Sequence, residues 1–215
     1  MNSSKAVELH EHIPPRYYLH GIKRNPLQKF WHLRRFKNIS DLVEPVEGEI
    51  LDIGCADGVF TKVIMDRVRP RKTIGIDIVE SLIKDTAGRF SNNKKARFLV
   101  ADANDLPFEN NRFDAVFCLE ALEHVSDPRR VLKEIKRVLK PRGYTIILVP
   151  TDSFLFKVSW WVVLHTWGKY WQGAHVQSFN SKNRLPPFVQ RAGLVVEKDK
   201  KFLLGMLEAV KARKI

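Results

Sequence analysis

EILDIGCADGVFTKVIMDRV, residues 49–68, reads as a short apolar strand, a turn bounded by Gly54 and Gly58, and a helix. The same unit recurs on its C-terminal side. TIGID is a strand followed by the helix VESLIKDTAGRF; ARFLVAD and RFDAVFCL are strands; PRRVLKEIKRVLK is a helix and GYTIILVP a strand. Strands alternating with helices of this length specify a parallel sheet covered on both faces, a doubly wound α/β architecture. The runs ILDI, AVFCL and TIILV are apolar at nearly every position, which fits burial on both sides. Beyond Gly193 the strand LVVEKD and the apolar segment FLLGMLEAVKA are joined by two lysines. So short a link cannot hold a crossover, so these two segments are expected to be antiparallel neighbours.

On the N-terminal side, residues 1 to about 25 carry Pro14, Pro15, Gly21 and Pro26 and are expected to be irregular. NPLQKFWHLRRFKNISDLV then spaces Leu27, Phe30, Trp31, Leu33, Ile39, Leu42 and Val43 helically among basic residues. This predicts an amphipathic helix, broken near Asn38, with those side chains on its apolar side. The expected organisation is a single domain: a helical lead (1–48), a core (49–150), an aromatic cap (151–180), and a C-terminal helix and strand pair (181–215).

Composition sets bounds on function. With 215 residues, 44% hydrophobic and 28% charged, the chain is globular and long enough for one well-filled domain. Its net charge of +13 attracts something anionic: nucleic acid, a phospholipid surface or an acidic substrate. The basic residues are scattered, and a solvated surface competes with each of these readings. Cys55 and Cys118 lie in apolar segments without metal-ligand spacing, so free thiols in a reducing cytosol, and no metal, are expected. The N-terminus has no apolar signal region, and no run reaches the ~18 apolar residues of a spanning helix. A cytoplasmic protein, peripheral at a membrane at most, is expected.

The chemistry gathers at the strand ends. Gly54 and Gly58 let the backbone turn tightly and approach a ligand at the carboxyl edge of the first strand. Asp77 ends the second strand, where a carboxylate can accept from two vicinal ribose hydroxyls. Nicotinamide cofactors would use it too, but their G-x-G-x-x-G spacing is missing. Asp102 ends the third strand, where it can meet an exocyclic amine. With Asp52 near the end of the first strand, these three acidic strand tips suit a nucleoside carrying an amino acid better than a pyrophosphate.

The segments ILDIGCADG, TIGIDIVESLI and FLVADANDLPFENNRFDAVFCLEALEHVSDPRRVLKEIKRVLKPRGYTIILVP resemble the class I S-adenosylmethionine-dependent methyltransferases. The likeness is strongest to the small-molecule and quinone-biosynthesis branch. It covers residues 26–150 closely and 175–212 loosely. It implies a Rossmann-like seven-stranded sheet, mostly parallel with an antiparallel last strand, and S-adenosylmethionine as cofactor. By position, Gly54, Cys55, Ala56 and Gly58 would pack along the methionine part, with Asp52 supporting the loop. Asp77 would hold the ribose and Ile78 the adenine face; Asp102 would take the adenine amine with Ala103 beside it. Leu119 and Glu120 would flank the methionine moiety. Ala56 departs from the family, which commonly has a glycine there; a shifted contact rather than lost binding is expected.

A general base is needed only if the acceptor loses a proton as it attacks. Glu120, Glu123 and His124, in CLEALEHVSDP, are the candidates, and a purely structural role competes for Glu123 and His124. Arg34 or Arg35 could meet the cofactor's carboxylate. The stretch WWVVLHTWGKYW, residues 160–171, falls after strand five, where the family varies its substrate cover. Trp160, Trp167, Tyr170 and His175 are the expected cap residues over a small apolar or lipid-like acceptor. Core packing and peripheral contact with anionic membrane are the other readings of that stretch. An RNA or protein methyltransferase using the basic surface is the enzymatic rival, and a non-catalytic cofactor-binding partner subunit the rival of another class.

Overall fold

The computed structural model describes residues 14–166, Phe179 and 184–215. Two helices lead in, α1 (Tyr17–Arg24) and α2 (Pro26–Ser40). The core runs β1 (Glu49–Ile53), α3 (Val59–Val68), β2 (Lys72–Asp77), α4 (Glu80–Arg89), β3 (Ala96–Val100) and β4 (Phe113–Leu119). A single 3-10 turn (Leu122–His124) then leads to α5 (Pro128–Val138) and β5 (Leu139–Pro150). The cap helix α6 (Phe154–His165), α7 (Leu185–Arg191), β6 (Val195–Phe202) and β7 (Leu207–Arg213) complete the chain.

The seven strands form one sheet in the order β3-β2-β1-β4-β5-β7-β6, with β7 antiparallel to both of its neighbours. The doubly wound sheet expected from the alternation is present. Side chains of β1 point alternately to the two faces. Leu51 and Ile53 join the core under α5 and α7, with Val131, Leu132, Leu185 and Val189. Ile50 joins the opposite core with Ile39 of α2 and with Ile64 and Val68 of α3. Order reverses between β1 and β4, and in such sheets the crevice outside the carboxyl ends of those strands is where ligands bind.

Four details differ from the sequence reading. Residues 17–24, expected to be irregular, are helical, because the breakers Pro14, Pro15 and Pro26 flank the segment and leave only Gly21 inside it. Helix α2 runs unbroken through Asn38, whose side chain donates back to the Arg34 carbonyl at 2.7 Å; its start is capped by Asn25, which accepts from the Leu27 and Gln28 amides. Its expected apolar side is only partly the buried one: Ile39 and Leu42 are buried, but Leu27, Phe30 and Leu33 are exposed, and His32 and Arg35 are buried instead. Finally, β6 continues through Lys200 and Lys201, and the reversal falls at Leu203–Met206. The antiparallel pairing follows all the same, because the turn is short wherever it sits.

Candidate active site

One cavity opens at the carboxyl ends of β1, β2 and β4. Gly54 leaves β1 with φ +71°, and a Cβ there would lie 2.4 Å from the Ala121 methyl. Only glycine meets both demands. Ala56 (φ +43°) and Gly58 (φ +68°) are left-handed as well. The left-handed region costs an alanine about 1–2 kcal/mol, so Ala56, the departure from the family pattern, keeps the glycine-like backbone at that cost.

Neighbouring side chains hold the loop. The Ala56 amide donates to Asp77 Oδ2 at 3.0 Å and the Val79 amide to Asp77 Oδ1 at 3.0 Å. Thr86 Oγ1 donates to the Ala56 carbonyl at 2.9 Å, and the Arg89 guanidinium donates to the Asp57 carbonyl. Asp52 sits beneath, buried, accepting from Thr61 Oγ1 at 2.5 Å. Burial, with the Asp77 charge adding to it, pushes the Asp52 carboxyl up to about 7 against the Thr61 bond.

Every residue expected to hold the cofactor lines this cavity except Gly58, which faces Thr86 and Phe90 behind the loop. A carboxylate offers about four acceptor sites. Asp77 accepts two backbone amides and lines the cavity, where its carboxylate can meet vicinal hydroxyls. Asp102 accepts from the Asn104 amide and side chain, both at 2.8 Å, through Oδ1 alone. Ile78, Ala101 and Leu82 supply apolar surface between the two aspartates. The residues therefore fit S-adenosylmethionine: glycine backbone for close approach, one carboxylate per polar edge of a nucleoside, and an apolar slot between.

Across the cavity lies an ion pair that the sequence did not indicate, where Arg34 or Arg35 was expected only to meet the cofactor's carboxylate. Arg35 is buried, its Nη1 lies 3.0 Å from Glu120 Oε2, and its guanidinium rests over the Phe60 and Tyr18 rings at 4.9 and 5.8 Å from their centroids. Arg34 is exposed and lies over Phe30. Burial raises the Glu120 carboxyl while Arg35 opposes the shift.

Of the three base candidates, Glu120 and His124 are on the cavity wall, Glu120 paired with Arg35, and Glu123 is not among the residues lining it. Glu123 is 1% exposed, with Oε1 3.9 Å from His124 Nε2. Burial, then the Glu120 charge, push its carboxyl well above the usual range.

The helical lead closes the site. Tyr17 and Tyr18 line the cavity, the Leu19 amide donates to Asp57 Oδ2 at 3.0 Å, and Arg16 bonds Asp85 of α4 at 2.7 Å. Trp160 is placed behind this roof, packed with Tyr17, Tyr18 and Leu164 and stacked on Phe156 at 5.8 Å. Trp167, Tyr170 and His175 lie outside the described residues. Asp57 and Tyr18 were missed from the sequence; the only signal was that Asp57 belongs to the same turn as Gly58. Among the described residues no group of three or more His, Cys, Asp or Glu side chains is arranged to hold a metal ion, and no helix is long and apolar enough to cross a membrane.

Residues 51–147 match the family described as a methyltransferase domain. An uncharacterized protein of Methanocaldococcus jannaschii is 36% identical over 125 residues, covering 58% of this chain and 48% of that one. A demethylmenaquinone methyltransferase of Staphylococcus aureus is 25% identical over 222 residues, covering 95% of this chain and 91% of that one. A solved S-adenosylmethionine-dependent methyltransferase from Mesorhizobium loti superposes with a TM-score of 0.67 at 18% identity, over 83% of this chain and 96% of that one. The chain spans less than half the length of the first curated relatives it matches. Residues 51–147 are thus similar to a methyltransferase domain, and the fold is that of solved S-adenosylmethionine-dependent methyltransferases.

Proposed function

We propose that the chain transfers a methyl group from S-adenosylmethionine to a small apolar acceptor, of the quinone or other lipid-like class, bound beneath the helical lead. The observation that carries this reading is that one cavity holds both the nucleoside-binding edge and an apolar, aromatic wall. Gly54, Asp77 and Asp102 form the first; Tyr17, Tyr18, Phe60, Leu119 and Val125 form the second. The curated relatives include methyltransferases named for demethylmenaquinone and tocopherol, which supports an acceptor of that chemistry.

When bound, S-adenosylmethionine supplies a methyl group activated on a sulfonium sulfur. The chain's own part is alignment, exclusion of water and reception of a proton. The lead closes over the site through Leu19 to Asp57 and Arg16 to Asp85, keeping solvent from the reacting atoms. Arg35, neutralised by Glu120 and stacked between aromatic rings, keeps the wall rigid without leaving an uncompensated buried charge. His124 takes the proton that a hydroxyl or acidic carbon releases on attack. Glu123 beside it does not line the cavity and so does not compete as the base.

The test is calorimetric titration with S-adenosylmethionine, followed by turnover assays on prenylated hydroquinones, polar phenols and RNA. Binding together with turnover of the prenylated hydroquinone is expected. Binding with label passing only to RNA or protein would overturn the choice of acceptor.

A further inference from the structure

The roof of this cavity carries apolar side chains outward as well as inward. On α6, Phe156 is buried and Trp160 half-buried, while Phe154, Leu155, Val158, Trp161 and Val162 are 81, 45, 48, 60 and 43% exposed. Those five lie on one arc of the helix, bordered by exposed Lys157 and His165. None of the five has a polar side-chain group except Trp161, through its indole N–H. Leu27, Phe30 and Leu33 of α2 are 66, 54 and 51% exposed, beside exposed Lys29, Arg34 and Lys37.

The elements are joined. Tyr17 and Tyr18 of α1 pack on Trp160 and Leu164 of α6, and the Tyr18 ring meets His32 of α2 edge-on at 5.3 Å. The β6–β7 turn adjoins α6 through Ser159 and Met206, 3.5 Å apart. In that turn Leu203 and Leu204 both take left-handed backbone, φ +51° and +56°, and Leu204 is left 83% exposed. A leucine in that conformation is disfavoured by its Cβ, yet here it projects an apolar side chain into solvent.

Charge tells which surface such a face fits. From Pro14 to Ser40 there are seven Lys and Arg and no Asp or Glu; α6 adds Lys157 and no acidic residue. Arg16 and Arg35 are engaged with Asp85 and Glu120. Lys23, Arg24, Lys29, Arg34 and Lys37 remain exposed. Aromatic and aliphatic side chains bordered by cations, with little hydrogen-bonding capacity among them, are what a lipid interface accepts. The apolar groups enter the acyl boundary and the cations meet headgroup phosphates. Nucleic acid would satisfy the cations but leave Phe154, Leu155, Val158 and Leu204 against water.

We infer that α6 and the Leu203–Gly205 turn, with the exposed cations of the adjoining helical lead, form a docking face for an anionic lipid bilayer, seating the roofed cavity at the membrane surface. This goes beyond the proposed reaction and does not require it. The test is co-sedimentation of the purified full chain with phosphatidylcholine vesicles, with and without phosphatidylglycerol, at low and high salt. Binding to the anionic vesicles that weakens with salt is expected. F154S/W161S should bind more than about tenfold more weakly, and K23Q/K29Q/R34Q about fivefold more weakly for each charge removed. Both variants should keep wild-type affinity for S-adenosylmethionine, which also reports that they fold. No binding to anionic vesicles, wild-type binding by both variants, or displacement of the vesicles by a short RNA would overturn the inference. A chain that binds vesicles but methylates no acceptor would leave it standing and remove the proposed reaction instead.

Discussion

Asp77 does two jobs at once: its Oδ2 takes the Ala56 amide at 3.0 Å, bracing the glycine loop against β2, while its carboxylate faces the cavity. Asp77→Ala should therefore lose loop order and ribose acceptors together. Each hydrogen bond to a charged group contributes about 1.5–3 kcal/mol, so the Kd for S-adenosylmethionine should rise on the order of a hundredfold by calorimetry. An unchanged Kd would place the nucleoside elsewhere.

Ala56 stands at φ +43°. Ala56→Gly should be near neutral, because relief of the left-handed cost offsets the entropy that glycine loses on folding. Ala56→Val should destabilise by about 2 kcal/mol or more, as a β-branched residue is an outlier there. Urea midpoints decide it; equal effects of the two substitutions would show that backbone conformation is not the constraint.

The carboxyl of Asp52 is raised to about 7, above its ordinary 3.8. The folded state thus holds a proton that the unfolded state has released. Stability should fall as pH rises from about 4 to about 7, and this contribution is flat above. Asp52→Asn removes this contribution, so the variant should gain on the wild type between about pH 4 and about pH 7. A gap that does not move with pH would mean that Asp52 ionises normally in the fold.

Removing Arg35 leaves Glu120 buried without its counter-charge. Arg35→Met should cost about 3–5 kcal/mol, and much less in the background of Glu120→Gln. A double-mutant cycle measures the coupling; additive losses would mean the pair contributes only through packing.

Trp160 supports Tyr17 and Tyr18 without lining the cavity. Trp160→Ala should raise the acceptor KM more than the cofactor Kd, and steady-state kinetics beside calorimetry separates the two. Equal losses would make the stretch ordinary core.

The sheet and the cavity edge lined by Gly54, Asp77 and Asp102 were legible because local pattern determines both. Apolar runs such as ILDI mark central strands, and Gly54, Asp77 and Asp102 sit at strand ends where a doubly wound sheet places its ligands. The roof was not. Whether Phe30 or Arg35 faces inward depends on how α2 is rotated against α1 and α3, and spacing alone favoured the apolar residues. The pairing of Arg35 with Glu120 joins residues far apart in the chain, and Leu19 reaches Asp57 through a backbone amide that leaves no mark on residue type. Glu123 and His124 are adjacent in sequence, yet a single 3-10 turn puts one on the cavity wall and the other behind it.

The central claim is methyl transfer from S-adenosylmethionine to an apolar acceptor, with His124 receiving the proton. It is tested most directly by mass-spectrometric detection of a methylated prenylated hydroquinone formed by the purified chain, beside His124→Ala and Glu123→Gln. The account predicts one S-adenosylhomocysteine per methyl transferred. It also predicts a fall in kcat of about a hundredfold or more for His124→Ala, and little change for Glu123→Gln. Cofactor binding without any methylated apolar product, or a larger loss for Glu123→Gln than for His124→Ala, would contradict it.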